Sequence, residues 1–140
     1  MTGGPKSTLN GVVSFGPANA WAVGKGRNGA ALAEHWNGTA WSVVQVPTPA
    51  GAAGSQLSGI SALSPSDIWA AGSVITVVGT TVQTRTLVEH WNGSSWSVVA
   101  SPNVGGNDNL LNGVSATTGD VWTVGSSDVF AHTLALRETG

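Results

Sequence analysis

The sequence contains no cysteine and no tyrosine, and it is poor in charged residues. Without cysteine, disulfide bonds, zinc–thiolate sites and thiol catalysis are excluded, and the redox compartment stays undecided. Charged residues make up 9% of the 140 residues, against about a quarter in average soluble domains. Helical surfaces rich in glutamate, lysine and arginine are therefore nearly excluded.

The few charges also argue against a nucleic-acid or membrane partner. Seven acidic and five basic residues give a formal net charge of −2, so there is no basic surface for a phosphate backbone. No run reaches the roughly 18 to 20 apolar residues that span a bilayer, and residues 1–8 lack the apolar segment of a signal peptide. We predict neither partner, and the wealth of Ser, Thr, Asn and Gly favours an extracellular or cell-surface bacterial protein.

What the chain does contain is a repeat. HWNGTAWSVV at residues 35–44 returns 55 positions later as HWNGSSWSVV. A second recurring segment occurs three times, as LNGVVSFGPANAWAVG (9–24), LSGISALSPSDIWAAG (57–72) and LNGVSATTGDVWTVG (111–125). We therefore predict a leader without strand pattern (1–8), two complete units (9–54 and 55–108) and a third unit that lacks its outermost strand (109–140).

Within each unit, short apolar runs alternate with turn residues, which is typical of an all-β fold. In the first unit this pattern predicts four strands, at residues 9–14, 20–24, 30–36 and 39–46. The second unit is seven residues longer, within residues 74–84. We expect a surface loop there, because surface loops tolerate length variation.

The repeated Asn-Gly pair predicts a two-residue hairpin turn, because a type I′ turn needs positive φ at both central residues. With residues 37–38 as that turn, Trp36 faces Thr39. Glu34 then faces Trp41 on the same side of the ribbon. The Asn-Gly pairs also match a glycosylation sequon, but the turn explains them without a sugar.

Bulky residues on both sides of this hairpin would leave a single unit with an apolar area on each face. Stacking of units covers both faces. Four strands, a period of about 50 residues and a recurring tryptophan are typical of a β-propeller, in which each sheet lies between two neighbours. We predict an all-β fold of about 2.75 propeller blades, each a four-stranded antiparallel sheet.

The segments DIWAAGS and DVWTVGS, with EHWNGSSWSVV and a following proline, resemble the kelch-like or galactose-oxidase-like β-propeller repeats of large exported bacterial proteins. The resemblance covers nearly all of residues 9–140. It implies a propeller fold and no particular activity. The double glycine and the tyrosine of kelch repeats are absent, so the resemblance does not assign a subfamily.

Propellers usually contain about four to eight blades, so this number of units cannot close a ring alone. We predict that the ring is completed by further blades of a longer chain or by self-association. A head-to-tail dimer with six blades is the favoured oligomer. No cofactor is expected.

Three tryptophans take the same place in the three units: Trp21, Trp69 and Trp122. Their indole faces could stack on sugars, but we interpret them as packing residues between blades. Two positions earlier stand Asn19, Asp67 and Asp120. We expect these to cap turns.

A second set of tryptophans lies close to the hairpin turns, at the rim of the predicted blades. This position makes them the better candidates for a ligand groove that binds a glycan or a protein. The set consists of Trp36, Trp41, Trp91 and Trp96.

Two adjacent acid–histidine pairs invite a catalytic or metal-binding interpretation: Glu34-His35 and Glu89-His90. Adjacent strand residues point to opposite faces, so neither pair converges on one substrate atom. His35 of one blade could instead meet Glu89 of the next, which predicts a buried polar contact that orders the blades. In the third unit Arg137 replaces the histidine, which also favours packing.

Motifs of familiar catalytic sites are absent: there is no nucleophile elbow, P-loop, GxGxxG or HExxH. We predict no catalytic or metal-binding residues and interpret the chain as a non-catalytic binding or scaffold module. Two alternatives stay open. One is a purely structural, self-assembling fragment, and the other is a glycoside-acting enzyme whose recurring acids meet in a central channel.

Overall fold

A computed structural model describes residues 6–106, 108–128 and 132–138. These ranges contain strands and turns, and none of them includes a helix of the length and apolarity that a bilayer crossing requires. The strands are β1 Thr8–Ser14, β2 Ala20–Lys25, β3 Ala31–Trp36, β4 Trp41–Val44, β5 Ala52–Ser64, β6 Asp67–Val78, β7 Thr81–Trp91, β8 Trp96–Val99, β9 Asn109–Thr117, β10 Asp120–Ser127 and β11 His132–Glu138.

The strands form three antiparallel sheets in chain order. The first sheet is β1-β2-β3-β4, the second is β5-β6-β7-β8, and the third, within the described residues, is β9-β10-β11. The first strands of the sheets adjoin one another, β1 beside β5 and β5 beside β9, whereas β4 and β8 lie at outer edges. The all-β prediction of two four-stranded blades and an incomplete third is confirmed.

The hydrophobic core lies between the sheets and consists of two clusters. In each sheet, we call the face toward the following sheet the front and the opposite face the back. The front of the first sheet, with Trp21 and Val23, packs on the back of the second, with Ile68 and Leu87. The second cluster joins the front of the second sheet to the back of the third, and includes Trp69, Ala71, Val88, Val121, Leu134 and Leu136.

A glycine in the second strand of every sheet is required by close backbone approach. A Cβ on Gly72 would lie 2.0 Å from the carbonyl oxygen of Gln56. Next to this point the register of β5 against β6 shifts between Leu57 and Gly59. Gly24 and Gly125 are equally crowded, with 1.9 Å to a carbonyl oxygen. The recurring glycine of the repeat therefore allows the first two strands of each sheet to pair.

The predicted register of the central hairpin is wrong by two residues, because Trp36 was expected to pair with Thr39. Trp36 pairs with Trp41, and Glu34 pairs with Val43, around a four-residue loop. Among the loop residues only Gly38 has positive φ, at 95°. The Asn37 side chain instead accepts hydrogen bonds from the amides of residues 39 and 40, both at 2.9 Å. Because the pairing shifts by two residues, each strand side chain keeps its predicted face.

The seven extra residues of the second unit form strand, not the predicted loop. β6 and β7 continue to the pair Val78–Thr81, with Gly79 at φ 63° in the connecting turn. The inserted stretch is rich in valine and threonine, which suit an extended backbone. The result is a long hairpin whose tip exposes Val77, Val78 and Val82.

Candidate functional site: two grooves between sheets

The first groove lies between the first and second sheets and is lined by aromatic and neutral polar groups. The Trp21 ring is 4.6 Å from the His35 ring on its own sheet and 4.7 Å from the Trp91 ring on the next. His35 Nε2 donates to the side-chain oxygen of Asn19 at 2.9 Å. Together with Pro65, these residues line a cavity of about 260 Å³.

The second groove lies between the second and third sheets at the equivalent place. Trp69 stacks on His90 with ring centroids 4.3 Å apart, and its Nε1 donates to Asp67 at 3.0 Å. Asp67 also accepts from His90 Nε2 at 2.9 Å. Across the groove stand Asp120 and Glu138, and the cavity again measures about 260 Å³.

The second groove is the more acidic of the two. Three carboxylates line it, and each is held by neighbours. Asp120 is paired with Arg137, while Glu138 accepts hydrogen bonds from Ser101 at 3.1 Å and from Thr123 at 3.2 Å. The side chains of Asp67 and Asp120 remain 42% and 39% exposed, so both can meet a ligand.

Both grooves open at the same end of the molecule. At this end the turn between the first two strands of a sheet contacts the turn between its last two. A Cβ on Gly38 would lie 2.9 Å from that of Ala18, and one on Gly93 would lie 2.9 Å from that of Ser66. The Asn-Gly turns are therefore shaped by this contact, and they form part of the rim around the grooves.

A polar pair that was not predicted from the sequence recurs beside the tryptophan of every sheet. The expected turn-capping residues Asn19, Asp67 and Asp120 bind His35, His90 and Arg137 across the second and third strands. The expectation of simple turn caps is therefore wrong. The repeated Asx-x-Trp, followed in every unit by a histidine or arginine, was the signal that could have found the pair.

The predicted packing tryptophans take two kinds of position. Trp21 and Trp69 lie between sheets and are 3% and 6% exposed. Trp122 stands on the front of the third sheet and is 49% exposed. The equivalent position is thus buried only where a following sheet covers it.

The candidate ligand-binding tryptophans are also not equivalent. Trp91 and Trp96 pack against Trp21, with ring centroids at 4.7 Å and 5.8 Å, and Trp96 is only 5% exposed. Trp36 and Trp41 lie half-buried on the back of the first sheet. A ligand role for all four stays a prediction, and the burial of Trp96 leaves that ring little surface for a ligand.

No hydrogen bond joins His35 to Glu89 as predicted: His35 Nε2 bonds to Asn19, and Glu89 bonds to none of the described residues. Glu89 is fully buried on the back of the second sheet, and neither of its carboxyl oxygens has a hydrogen-bond partner in the described part of the chain. Burial raises the pKa of Glu89 from 4.5 to about 8. Its counterpart Glu34 is buried on the back of the first sheet.

The acids and histidines are the side chains that a metal ion would use as ligands. Within residues 6–106, 108–128 and 132–138, no three of these side chains converge as metal ligands would. Their observed partners are other side chains, as in Asp67–His90 and Asp120–Arg137.

Antiparallel sheets that stack face to face, with their first strands side by side, define the chain as part of a β-propeller. The solved structure "YCF48 bound to D1 peptide", a β-propeller, matches 92% of this chain with a TM-score of 0.56 and 15% sequence identity. The match covers 40% of the YCF48 chain. No family model and no curated protein sequence matches the chain. The likeness shows the propeller fold, and the kelch-like resemblance stays a prediction.

Proposed function

We propose that the chain is a non-catalytic propeller module that binds an extended segment of a partner protein across its two grooves. The observation that carries this proposal is the repetition of one groove, at the same end of successive sheets, with different chemistry in each copy. A peptide that runs over that end would meet both grooves. Two contacts on one ligand add their effects, so each can be weak.

The chemistry of the grooves indicates what the peptide should carry. The first groove presents the partly exposed Trp91 ring beside Pro65, which suits an apolar or aromatic side chain. The second presents the carboxylates of Asp67 and Asp120, which are partly exposed and suit a lysine or arginine through charge-assisted hydrogen bonds. We therefore expect a preference for segments with one aromatic and one basic residue.

Two further considerations support a protein ligand. The YCF48 structure with the same fold has a bound D1 peptide. The carboxylates of the second groove are held in fixed positions by Arg137, His90, Ser101 and Thr123, which orders them as acceptors for a basic side chain. The exported setting that the composition favours is part of the same proposal.

The test is a fluorescence and calorimetric titration with synthetic peptides that carry an aromatic residue and, at one further position, Lys, Arg, Gln or Glu. We expect the Lys and Arg peptides to bind. Asp67→Asn should lower their affinity about tenfold, because a charged hydrogen-bond partner is lost. Asp128→Asn is the matched control, since it removes the same charge outside both grooves. Equal effects of the two variants, or no binding by any peptide, would refute the proposal.

A glycan is the second candidate ligand, because the Trp36 and Trp41 rings form a half-exposed pair with centroids 5.8 Å apart. A glycan array separates the two ligands. If the protein binds a polysaccharide and Trp41→Ala abolishes that binding, the ligand is a carbohydrate and not a peptide. Turnover of a glycoside substrate would overturn the non-catalytic part of the proposal.

A further inference from the structure

The contact between neighbouring sheets follows one rule, in which the front of one sheet meets the back of the next. In the first contact, the Trp21 ring on the front lies 4.7 Å from the Trp91 ring and 5.8 Å from the Trp96 ring on the back. In the second contact, Trp69 on the front packs in a cluster with Leu136 on the back. The chain therefore builds the same kind of interface twice.

One front face has no following sheet among the described residues. This is the front of the third sheet, where Trp122 is 49% exposed and Val124 is 51% exposed. At the equivalent position Trp21 is 3% exposed. The third sheet thus presents the tryptophan that makes the sheet contact elsewhere in the chain.

One back face lacks a preceding sheet in the same described part. On the back of the first sheet, Trp36 and Trp41 are half-buried, and Val43 is 53% exposed. Glu34 in β3 is buried on this face, whereas Val43 in the edge strand β4 is exposed. The accessible surface therefore lies toward β4. Trp36 and Trp41 hold the places that their counterparts in the second sheet use to contact Trp21.

We propose that the front of the third sheet in one copy of this chain packs on the back of the first sheet in a second copy, with Trp122 against Trp36 and Trp41. The contact continues the interface that the chain already forms between its own sheets. Made reciprocally by two copies, it gives a ring of six sheets, within the usual four to eight. This inference goes beyond the proposed peptide binding and does not depend on it.

The test is the solution mass, measured by size-exclusion chromatography with light scattering over a concentration series. We expect the unchanged chain to reach the mass of two copies. Trp122→Glu and Trp41→Lys should each weaken association about thirtyfold or more, as the loss of a central interface tryptophan does. Val78→Glu is the control, because Val78 is 68% exposed at the hairpin tip, and it should leave the mass unchanged.

Mixing the two variants tests the head-to-tail arrangement itself. Each variant alone impairs both contacts of a ring. An equimolar mixture can form one unaltered contact and one between Glu and Lys, so the mass of two copies should return. If only one of the two variants weakens association, a symmetric face-to-face dimer replaces the proposal, and a monomer at every concentration overturns it.

A second pair of substitutions covers the case in which a tryptophan variant fails to fold. Val124→Glu and Val43→Lys alter the same two faces at positions that are 51% and 53% exposed, so neither removes core packing. They should reproduce the loss of association and its recovery on mixing. Far-UV circular dichroism of each variant confirms that it is folded.

Discussion

At the scale of single residues, Glu89 is the most consequential side chain. It lies on the back of the second sheet, opposite Ala70 and Val98 in the neighbouring strands, where the first and second sheets meet. In the described part of the chain its carboxyl oxygens have no hydrogen-bond partner, and the buried indole nitrogen of Trp96 has none either. Ionising a carboxyl group there carries a large desolvation cost, which raises its pKa.

This burial makes the stability of the protein depend on pH. The pKa of Glu89 is about 8 in the folded chain and 4.5 without burial, so between these values the folded state holds a proton that the unfolded state has lost. The free energy of unfolding therefore falls as pH rises through this window, by at most about 1.4 kcal/mol per unit. Glu89→Gln should remove that fall, as urea unfolding at several pH values would measure.

A second buried glutamate provides the control. Glu138 is 3% exposed, but it accepts hydrogen bonds from Ser101 and Thr123. Glu138→Gln should leave the decline between about pH 5 and 8 in place, whereas Glu89→Gln should be more stable than the unchanged chain at pH 8. A free energy of unfolding that stays level over this range in the unchanged chain would contradict the assignment.

At the scale of secondary structure, the pairing of the first two strands depends on a glycine without a side chain. Gly72 faces the backbone of β5, and the nearest atom to an added Cβ would be a carbonyl oxygen rather than a flexible side chain. Relief then requires the two strands to separate. The same arrangement at Gly24 and Gly125 shows why the glycine recurs in every unit.

Gly72→Ala should therefore destabilise the protein by about 3 kcal/mol or more, because a backbone clash within a core strand pair has no local remedy. The control is Gly79→Ala in the hairpin turn, where the φ of 63° disfavours alanine but no atom lies within 4 Å. That variant should cost about 1 to 2 kcal/mol. Chemical denaturation measures the free energy of unfolding of both variants. An equal loss in the two would mean that β5 and β6 separate at little cost.

At the scale of the whole molecule, the second sheet holds the fold together. It contributes its back to one hydrophobic cluster and its front to the other, whereas the first and third sheets contribute to one each. Stability in such a stack comes mainly from contacts between neighbours. Substitution of a residue between two sheets should consequently lower the free energy of unfolding more than substitution of its counterpart on an end face.

The tryptophan pair Trp69 and Trp122 tests this at equivalent positions. Trp69→Ala opens a cavity between two sheets and should cost about 3 to 5 kcal/mol. Trp122→Ala removes a half-exposed ring and should cost less than about 1 kcal/mol at concentrations where the chains are dissociated. Denaturation followed by circular dichroism measures both, and comparable losses would show that the third sheet's front is covered within a single chain.

Much of this architecture follows from the sequence, because it depends on local patterns. Repetition of the Trp-containing segments predicted the number of sheets, and alternation of apolar residues predicted their strands. Face assignments remained correct through the register error at the hairpin, because the shift was two residues. Local patterns did not predict the turn geometry. The Asn37 side chain accepts hydrogen bonds from the amides of residues 39 and 40, which stabilises a four-residue loop instead of the type I′ turn.

The sequence by itself determined that this protein is a stack of short antiparallel sheets, because strand period, turn residues and repeat length are properties of neighbours along the chain. Only the tertiary structure decided how equivalent residues differ. Trp69 is buried and Trp122 is exposed, although both occupy the same position in the repeat, because burial depends on which sheet lies opposite. The raised pKa of Glu89 and the unequal chemistry of the two grooves arise in the same way, from residues that meet only across sheets.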